Sequence, residues 1–228
     1  MSPRSSEFVP QDNLLGPLMV LTVTTGVIDA VSFVGLGHVF TANMTGNVVV
    51  IGFGLAGAEG VSVARSLAGL VSFAGGALVG GRLVNGAARA PVRHLAIASA
   101  SEAALLFIAA GVVLGRAGLP PPSIAYALIT LTAMAMGMRN AIVRKLGVPD
   151  VTTTVLTLTV TGLAADSSVA GGDHVRSGRR ALSVVAMLGG AFLGTLFLRE
   201  WGFAPPLAVA ASLAGAVAVH AWARGVEQ

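Results

Sequence analysis

The chain has 228 residues, of which 54% are hydrophobic and only 11% are charged, and its mean hydropathy is +0.83. A typical soluble domain has about 25% charged residues, so this sequence lacks the charge needed to cover a water-exposed surface of its size. Its 14 basic and 10 acidic residues give a net charge of +4, which we attribute to arginines in loops and not to a nucleic-acid groove. The absence of cysteine excludes disulfides, thiolate nucleophiles and cysteine metal sites. We therefore predict an integral membrane protein whose surroundings are a lipid bilayer.

Eight apolar stretches follow a polar N-terminus, residues 1–13, in which no cleaved targeting segment is evident. They cover residues 14–37, 39–58, 62–85, 94–115, 122–143, 151–166, 181–198 and 204–222. Prolines lie in several of the gaps, and because proline is poorly tolerated inside a helix, their positions support these boundaries. Six of the stretches have about the 20 residues that a helix needs to cross a bilayer.

The second and sixth stretches differ from the others because they are rich in polar residues. The second begins with the polar residues Thr41, Asn43, Thr45 and Asn47. The sixth contains Thr152, Thr153, Thr154, Thr157, Thr159 and Thr161. Irregular backbone at membrane depth survives only where protein surrounds it or where it lines a cavity. We therefore expect these two stretches to be half-helices or re-entrant segments.

The basic residues distinguish between two topologies. If all eight stretches cross, the basic residues divide seven to six and show no bias. If the second and sixth stretches return to the side they came from, ten basic residues lie on one side and three on the other. Cytoplasmic loops carry the excess of Lys and Arg. The sequence thus predicts an all-α membrane protein with six transmembrane helices, two re-entrant segments and both termini in the cytoplasm.

The two halves of the chain resemble each other, with residues 14–115 and 122–222 as successive membrane repeats of a single domain. The glycines at 75, 76 and 80 in the third stretch recur with the same spacing at 189, 190 and 194 in the seventh. The segment TGVIDA around Asp29 likewise recurs as MGMRNA around Asn140. Each repeat would contain three crossings, which is an odd number, so the second repeat would be inverted relative to the first. Inverted repeats of this kind are common in transporters, which bind solutes where the repeats meet.

Two longer segments carry a family resemblance. Residues 26–52, GVIDAVSFVGLGHVFTANMTGNVVVIG, and residues 137–164, GMRNAIVRKLGVPDVTTTVLTLTVTGLA, are similar to the two signatures of the YoaK-like bacterial membrane proteins. Thr159 departs from that pattern, since a glycine often stands there. The resemblance implies a multi-pass protein of the bacterial inner membrane, and it implies no particular substrate.

Asp29 lies within the first span, where a carboxylate costs about 2.5–3.5 kcal/mol on insertion scales. It either handles a proton or cation opposite Asn43, Thr45 and Asn47, or accepts hydrogen bonds that hold this re-entrant stretch in place. Arg139 either binds an anionic group, caps carbonyls of the threonine-rich stretch, or extends to the membrane interface as long basic side chains near helix ends do. The last interpretation is slightly favoured, and no direct ion pair with Asp29 is expected.

We predict a polar solute-binding site formed by both re-entrant motifs. Its candidate residues are Asp29, Asn43, Thr45, Asn47, Arg139, Asn140, Thr153, Thr154 and Thr157. The alternative for the threonines is that their hydroxyls bond back to carbonyls of their own helix. Glu102 is more simply a structural partner for a polar group on a neighbouring helix. The pairs Gly76/Gly80 and Gly190/Gly194 are expected to pack helices within the chain, with a homo-oligomer contact as the alternative.

The sequence favours a small-solute transporter or channel. A non-transport membrane protein that binds a lipid or a partner protein is the alternative. The chain has no H-E-x-x-H, no G-x-S-x-G and no metal-ligand spacing among its histidines. We therefore predict no enzyme activity, no catalytic residues, no cofactor and no metal.

Overall fold

All regular secondary structure in the described residues is helical. The computed structural model describes residues 12–85, 91–116, 118–146, 156–172 and 177–226. These ranges contain the helices α1 (Asp12–Gly35), α2 (Met44–Leu55), α3 (Val63–Val84), α4 (Pro91–Val112), α5 (Pro122–Leu146), α6 (Leu156–Ala165), α7 (Ser177–Trp201) and α8 (Ala204–Val226). One short 3-10 turn, Ser168–Ala170, lies between α6 and α7.

Six of the described helices are long and apolar enough to cross a membrane, with 22 to 25 residues each. At 1.5 Å per residue they are about 33–38 Å long, against a hydrocarbon core of about 30 Å. The two shorter helices have 12 residues in α2 and 10 in α6. They are about 18 and 15 Å long and too short to span that core. The predicted pattern of six crossing helices and two shorter segments is confirmed.

The helices begin where the sequence carries start signals. Pro91 and Pro122 are the first residues of α4 and α5, a position where the missing N–H of proline has no intrahelical partner to lose. The side chain of Ser62 accepts a hydrogen bond of 3.3 Å from the N–H of Arg65 and caps α3. After α7, Gly202 adopts a positive φ of 79°, which allows the sharp change of direction into α8.

The chain on either side of α2 meets at one end of the bundle. His38 precedes α2 and Gly60 follows it, yet Nδ1 of His38 lies 2.9 Å from the carbonyl oxygen of Gly60. Arg65, in the first turn of α3, donates from Nη1 to the carbonyl oxygen of Leu36 at 3.1 Å. The segment that contains α2 therefore leaves and returns at the same face, as a re-entrant segment does.

Close glycine contacts pack α3 against α5. A Cβ atom at Gly76 would lie 2.2 Å from the carbonyl oxygen of Met134, and one at Gly80 would lie 2.5 Å from that of Met138. Residues without a Cβ are what allow two helix backbones to approach this closely. Because the numbering rises together along both helices, α3 and α5 run parallel.

The helices α7 and α1 pack in the same way. A Cβ at Gly190 would lie 2.2 Å from the carbonyl oxygen of Val23, and one at Gly194 would lie 2.8 Å from Cα of Val27. When the repeated motifs are aligned, these glycines correspond to the pair on α3, and the two valines correspond to the two methionines on α5. The helices α1 and α7 are therefore also parallel, and both glycine pairs are covered within the chain.

The helices α4 and α8 run in opposite directions. Gly225, near the end of α8, faces Val92 at the start of α4, whereas Gly215 faces Ala103 further along α4. In each case a Cβ on the glycine would meet the facing side chain at 3.8 Å, which is ordinary van der Waals contact. Since the numbering rises along α8 as it falls along α4, this pair is antiparallel.

These directions determine how the short helices run. Successive helices that each cross the membrane alternate in direction. If α5, α6 and α7 each crossed it, α4 and α8 would therefore run parallel. Their antiparallel packing requires α6 to return to its own side. The parallel packing of α1 and α7 then requires α2 to return as well. One face of the bundle, which we call the terminal face, therefore holds the start of α1, the end of α8 and the ends of α3 and α5.

The buried core is formed mainly by α1 and α5, together with α4 and α8. In the most apolar 18-residue stretch of each helix, the buried share is 72% in α1 and 61% in α5, against 22% in α3 and 17% in α7. The helices α3 and α7 thus lie at the outside, and each carries one short helix against it. This arrangement leaves the start of α2 close to α3 and α5.

Candidate functional site

Asp29 holds the turn that leads into α2. Its side chain is buried on α1, and Oδ1 accepts hydrogen bonds from the backbone N–H of Thr41 at 3.1 Å and of Ala42 at 2.9 Å. Oδ2 accepts a hydrogen bond from the side-chain amide of Asn43. Both carboxylate oxygens are thus engaged by the turn. Of the two interpretations that the sequence leaves open, this geometry favours the acceptor that anchors the re-entrant stretch.

Asn47 holds the same turn from the other side. It is fully buried on α2, where Oδ1 accepts a hydrogen bond of 2.9 Å from the N–H of Phe40 and Nδ2 donates to the carbonyl oxygen of Phe40 at 2.6 Å. Its donor and its acceptor are both engaged inside the protein. The structure therefore gives Asn47 a supporting role in the turn that precedes α2.

Arg139 joins three helices in the middle of the bundle. Its side chain is fully buried, and Nη1 donates to Glu102 Oε1 at 2.8 Å, to the carbonyl oxygen of Leu21 at 3.0 Å and to Thr24 Oγ1 at 3.0 Å. Nη2 donates to Thr25 Oγ1 at 2.5 Å. Glu102 lies on α4 and the other acceptors lie on α1, so this one side chain of α5 contacts both.

The expectation that Arg139 extends to the membrane interface is wrong, because its guanidinium is enclosed by protein and paired with Glu102. A buried charge needs a partner, and the partner is 37 residues away on another helix, so the sequence alone could not identify it. The carbonyl oxygen that Arg139 contacts belongs to α1 and not to the threonine-rich stretch. Glu102 fits the structural role that the sequence favours.

A groove of about 1080 Å³ opens at the surface of the bundle between the start of α2, residues 73–81 of α3 and the last turns of α5. It brings together Asn43 and Thr45 of the first polar motif and Asn140 of the second. Arg144 and Lys145 line its end at the terminal face. The remaining lining residues are apolar side chains and one glycine: Ala42, Met44, Phe73, Ala74, Ala77, Leu78, Gly81, Ala141 and Val143.

The two basic residues of this groove were not among the predicted site residues. Sequence reasoning assigns Arg144 and Lys145 to the loop after the fifth stretch, whereas α5 continues to Leu146. The signal that could have found them is helical spacing. Arg144 is four residues after Asn140, and residues four apart lie on the same face of a helix.

The second threonine-rich motif is only partly described. Thr157 is exposed on α6, and its carbonyl oxygen accepts a hydrogen bond of 2.9 Å from the Thr161 hydroxyl. Thr161 thus bonds back to its own helix, and this bond uses the backbone of Thr157 and not its hydroxyl. Thr153 and Thr154 lie outside the described residues.

Six long apolar helices, together with two shorter ones, define a multi-pass integral membrane protein. The family described as "protein of unknown function (DUF1275)" matches residues 17–220, and the chain belongs to that family. The chain is 37% identical over 153 residues to the UPF0700 transmembrane protein YoaK of Bacillus subtilis (strain 168). That match covers 66% of this chain and 66% of the relative, which is just under two thirds. The family match includes both motifs, residues 26–52 and 137–164, and together with this relative it confirms the resemblance. No solved structure matches the chain.

Proposed function

We propose that this protein is a small-solute transporter or channel whose site is the groove between α2, α3 and α5. The observation that carries the proposal is the meeting of Asn43 and Thr45 with Asn140 in one groove. Short helices that begin within the membrane, beside discontinuous backbone, are where transporters commonly bind their solutes. Asp29, Asn47 and the Arg139–Glu102 pair hold the surrounding helices and do not contact the solute.

An inverted repeat is part of this proposal. The packing of α3 on α5 is repeated by α7 on α1, and the contacting residues occupy corresponding positions when the repeated motifs are aligned. The pair formed by α4 and α8, the last helix of each half, is antiparallel. A two-fold axis in the membrane plane would produce both features, and it is the symmetry of inverted-topology transporters.

The proposed orientation places the terminal face in the cytoplasm of a bacterial cell, with the chain in the inner membrane. Ten basic residues belong to the terminal face in this topology, and Arg65, Arg116 and Arg199 belong to the opposite face. The excess of basic residues marks the cytoplasmic side. The groove would then open toward the cytoplasm, since Arg144 and Lys145 lie at that end.

Blocking the groove should remove most of the solute flux. Ala74 lines the groove, and because the chain has no native cysteine, Ala74→Cys can be modified with a bulky methanethiosulfonate reagent before reconstitution. We expect modified protein to lose the flux that the unmodified variant shows in proteoliposome swelling assays with acetate, phosphate, urea and glycerol.

Leu188→Cys provides the matched control. Leu188 is the counterpart of Ala74 in the repeated glycine pattern and is likewise exposed, but it lies on α7 and does not line the groove. The same modification there should leave flux unchanged. Equal flux in modified and unmodified Ala74→Cys protein, or no flux above empty liposomes for any of the four solutes, would contradict the proposal.

A lipid- or partner-binding protein without transport is the second candidate. The observation that favours it is the largely apolar lining that α3 contributes to the groove, which includes Phe73, Ala77 and Leu78. A thermal-shift screen of purified protein against lipids and small solutes separates the two candidates. Stabilisation by lipid headgroups alone would favour the second.

A further inference from the structure

The charged side chains that line the groove are all basic. Arg144 and Lys145 are exposed at its end, and none of the lining residues is acidic. The amide of Asn140 lies one helical turn before Arg144 on α5. A solute that enters from the terminal face therefore meets two cations of α5 before it reaches Asn43 and Thr45.

No described carboxylate neutralises these two cations. Lys145 donates to Oδ1 of Asn85, which is a neutral amide, at the end of α3. The ion pairs among the described residues join Arg139 to Glu102 and Arg180 to Asp166. Asp29, the acid that lies beyond the start of α2, has both oxygens engaged by backbone and amide N–H groups.

The basic end of the groove is not a repeated feature of the two halves. Aligning the two repeated motifs matches Asn140 with another polar residue, Asp29, on α1. In the same alignment the two cations of the groove correspond to the apolar residues Phe33 and Val34. Both motifs therefore have a polar residue at this position, but only the second motif is followed by the two cations. This difference gives one half of the molecule a charge pattern that suits an anion.

We infer that the groove binds an anionic group, a carboxylate or a phosphate, at Arg144 and Lys145. The inference names the substrate class for the solute site and so rests on the proposed function. Guanidinium and ammonium groups form charge-assisted hydrogen bonds with such anions, and these are stronger than bonds between neutral groups. The same chemistry is carried by a free anion and by the headgroup of an anionic lipid.

The test uses full-length protein labelled at Leu78→Cys with an environment-sensitive fluorophore in phosphatidylcholine nanodiscs. Leu78 lines the groove, and its counterpart on α7 in the repeated glycine pattern, Phe192, is the control position. We expect sodium phosphate or sodium acetate to shift the emission saturably at Leu78→Cys, at constant ionic strength. Phe192→Cys should show no shift, and urea and glycerol should act at neither position.

Charge removal at the groove is the second arm. Arg144→Gln with Lys145→Gln should weaken anion binding at least about tenfold, because each charge-assisted hydrogen bond contributes more than the free energy that corresponds to that factor. Arg224→Gln, at the exposed end of α8 on the same face, should leave the affinity unchanged. Equal weakening by Arg224→Gln would mean that the ions sense only the net charge of the face, and this would overturn the inference.

A third arm distinguishes the two sources of the anion. If soluble anions have no effect but phosphatidylglycerol shifts the Leu78 label, and the double substitution removes that shift, the anionic site stands and its occupant is a lipid headgroup. No response to either source, or a response equal to that of glycerol, would overturn the inference. Anion binding that persists while proteoliposomes show no flux would instead refute the transport proposal alone.

Discussion

Arg139→Met is expected to destabilise the protein by about 3–5 kcal/mol, the usual cost of removing one partner of a buried ion pair. Glu102 would then remain as a buried carboxylate whose only described partner is the Thr24 hydroxyl, at 3.1 Å. The effect should be a large fall in the free energy of unfolding, measured by titration with sodium dodecyl sulfate in mixed micelles. Arg139→Lys should not restore stability, because an ammonium cannot reproduce the bonds that the two guanidinium nitrogens make.

The double variant Arg139→Met with Glu102→Leu is the control for this prediction. In the native protein, Oε2 of Glu102 and Nε of Arg139 have no hydrogen-bond partner among the described residues. Replacing both side chains removes these atoms together with both charges, so much of the lost stability should return. A double variant as unstable as Arg139→Met alone would show that the ion pair is not what the single substitution disrupts.

Gly76→Ala and Gly190→Ala are expected to destabilise the fold by about 1–3 kcal/mol each, the usual range for overpacking, or by more. At both positions a Cβ would lie 2.2 Å from a backbone carbonyl oxygen of the facing helix, so the helices would have to move apart. The loss should be visible as a fall in the free energy of unfolding of the isolated chain, because the contacts are within one molecule.

The neighbouring glycines provide matched controls. A Cβ at Gly75 or at Gly189 would meet nothing within 4 Å. Gly75→Ala and Gly189→Ala should therefore be neutral or stabilising by up to about 1 kcal/mol, since alanine favours a helix more than glycine does. If alanine had the same effect on stability at Gly75 as at Gly76, and at Gly189 as at Gly190, these glycine faces would not be packed within the chain. An effect that depends on protein concentration would indicate the same.

The architecture could be predicted from the sequence because its signals are local. Pro91 and Pro122 mark helix starts, and the spacing of Gly76 and Gly80 marks a close helix contact. The short helices could be recognised because polar residues cluster at the second and sixth stretches. The distribution of arginines then favoured the topology that the directions of α4 and α8 support independently.

The contacts that shape the candidate site could not be predicted, because they join residues far apart in the sequence. Nothing in the segment around Arg139 indicates that Glu102 lies 2.8 Å away. Asn47 is a polar residue of the type expected in a solute site, yet both polar atoms of its side chain bond to the backbone of Phe40. Whether a polar side chain supports a site or faces a solute depends on which partners the fold has already given it.

Both short helices should return to the side of the membrane from which they started. The most direct test is to find on which side the loop after α2 lies. Single cysteines at Ala58, Asn85 and Gln228 can be labelled in intact and in permeabilised cells with a membrane-impermeant maleimide, without background from native thiols. We predict that Ala58→Cys reacts in intact cells, whereas Asn85→Cys and Gln228→Cys react only after permeabilisation. If Ala58→Cys shared the accessibility of Gln228→Cys while Asn85→Cys was labelled from the other side, α2 would cross the membrane and the re-entrant topology would be contradicted.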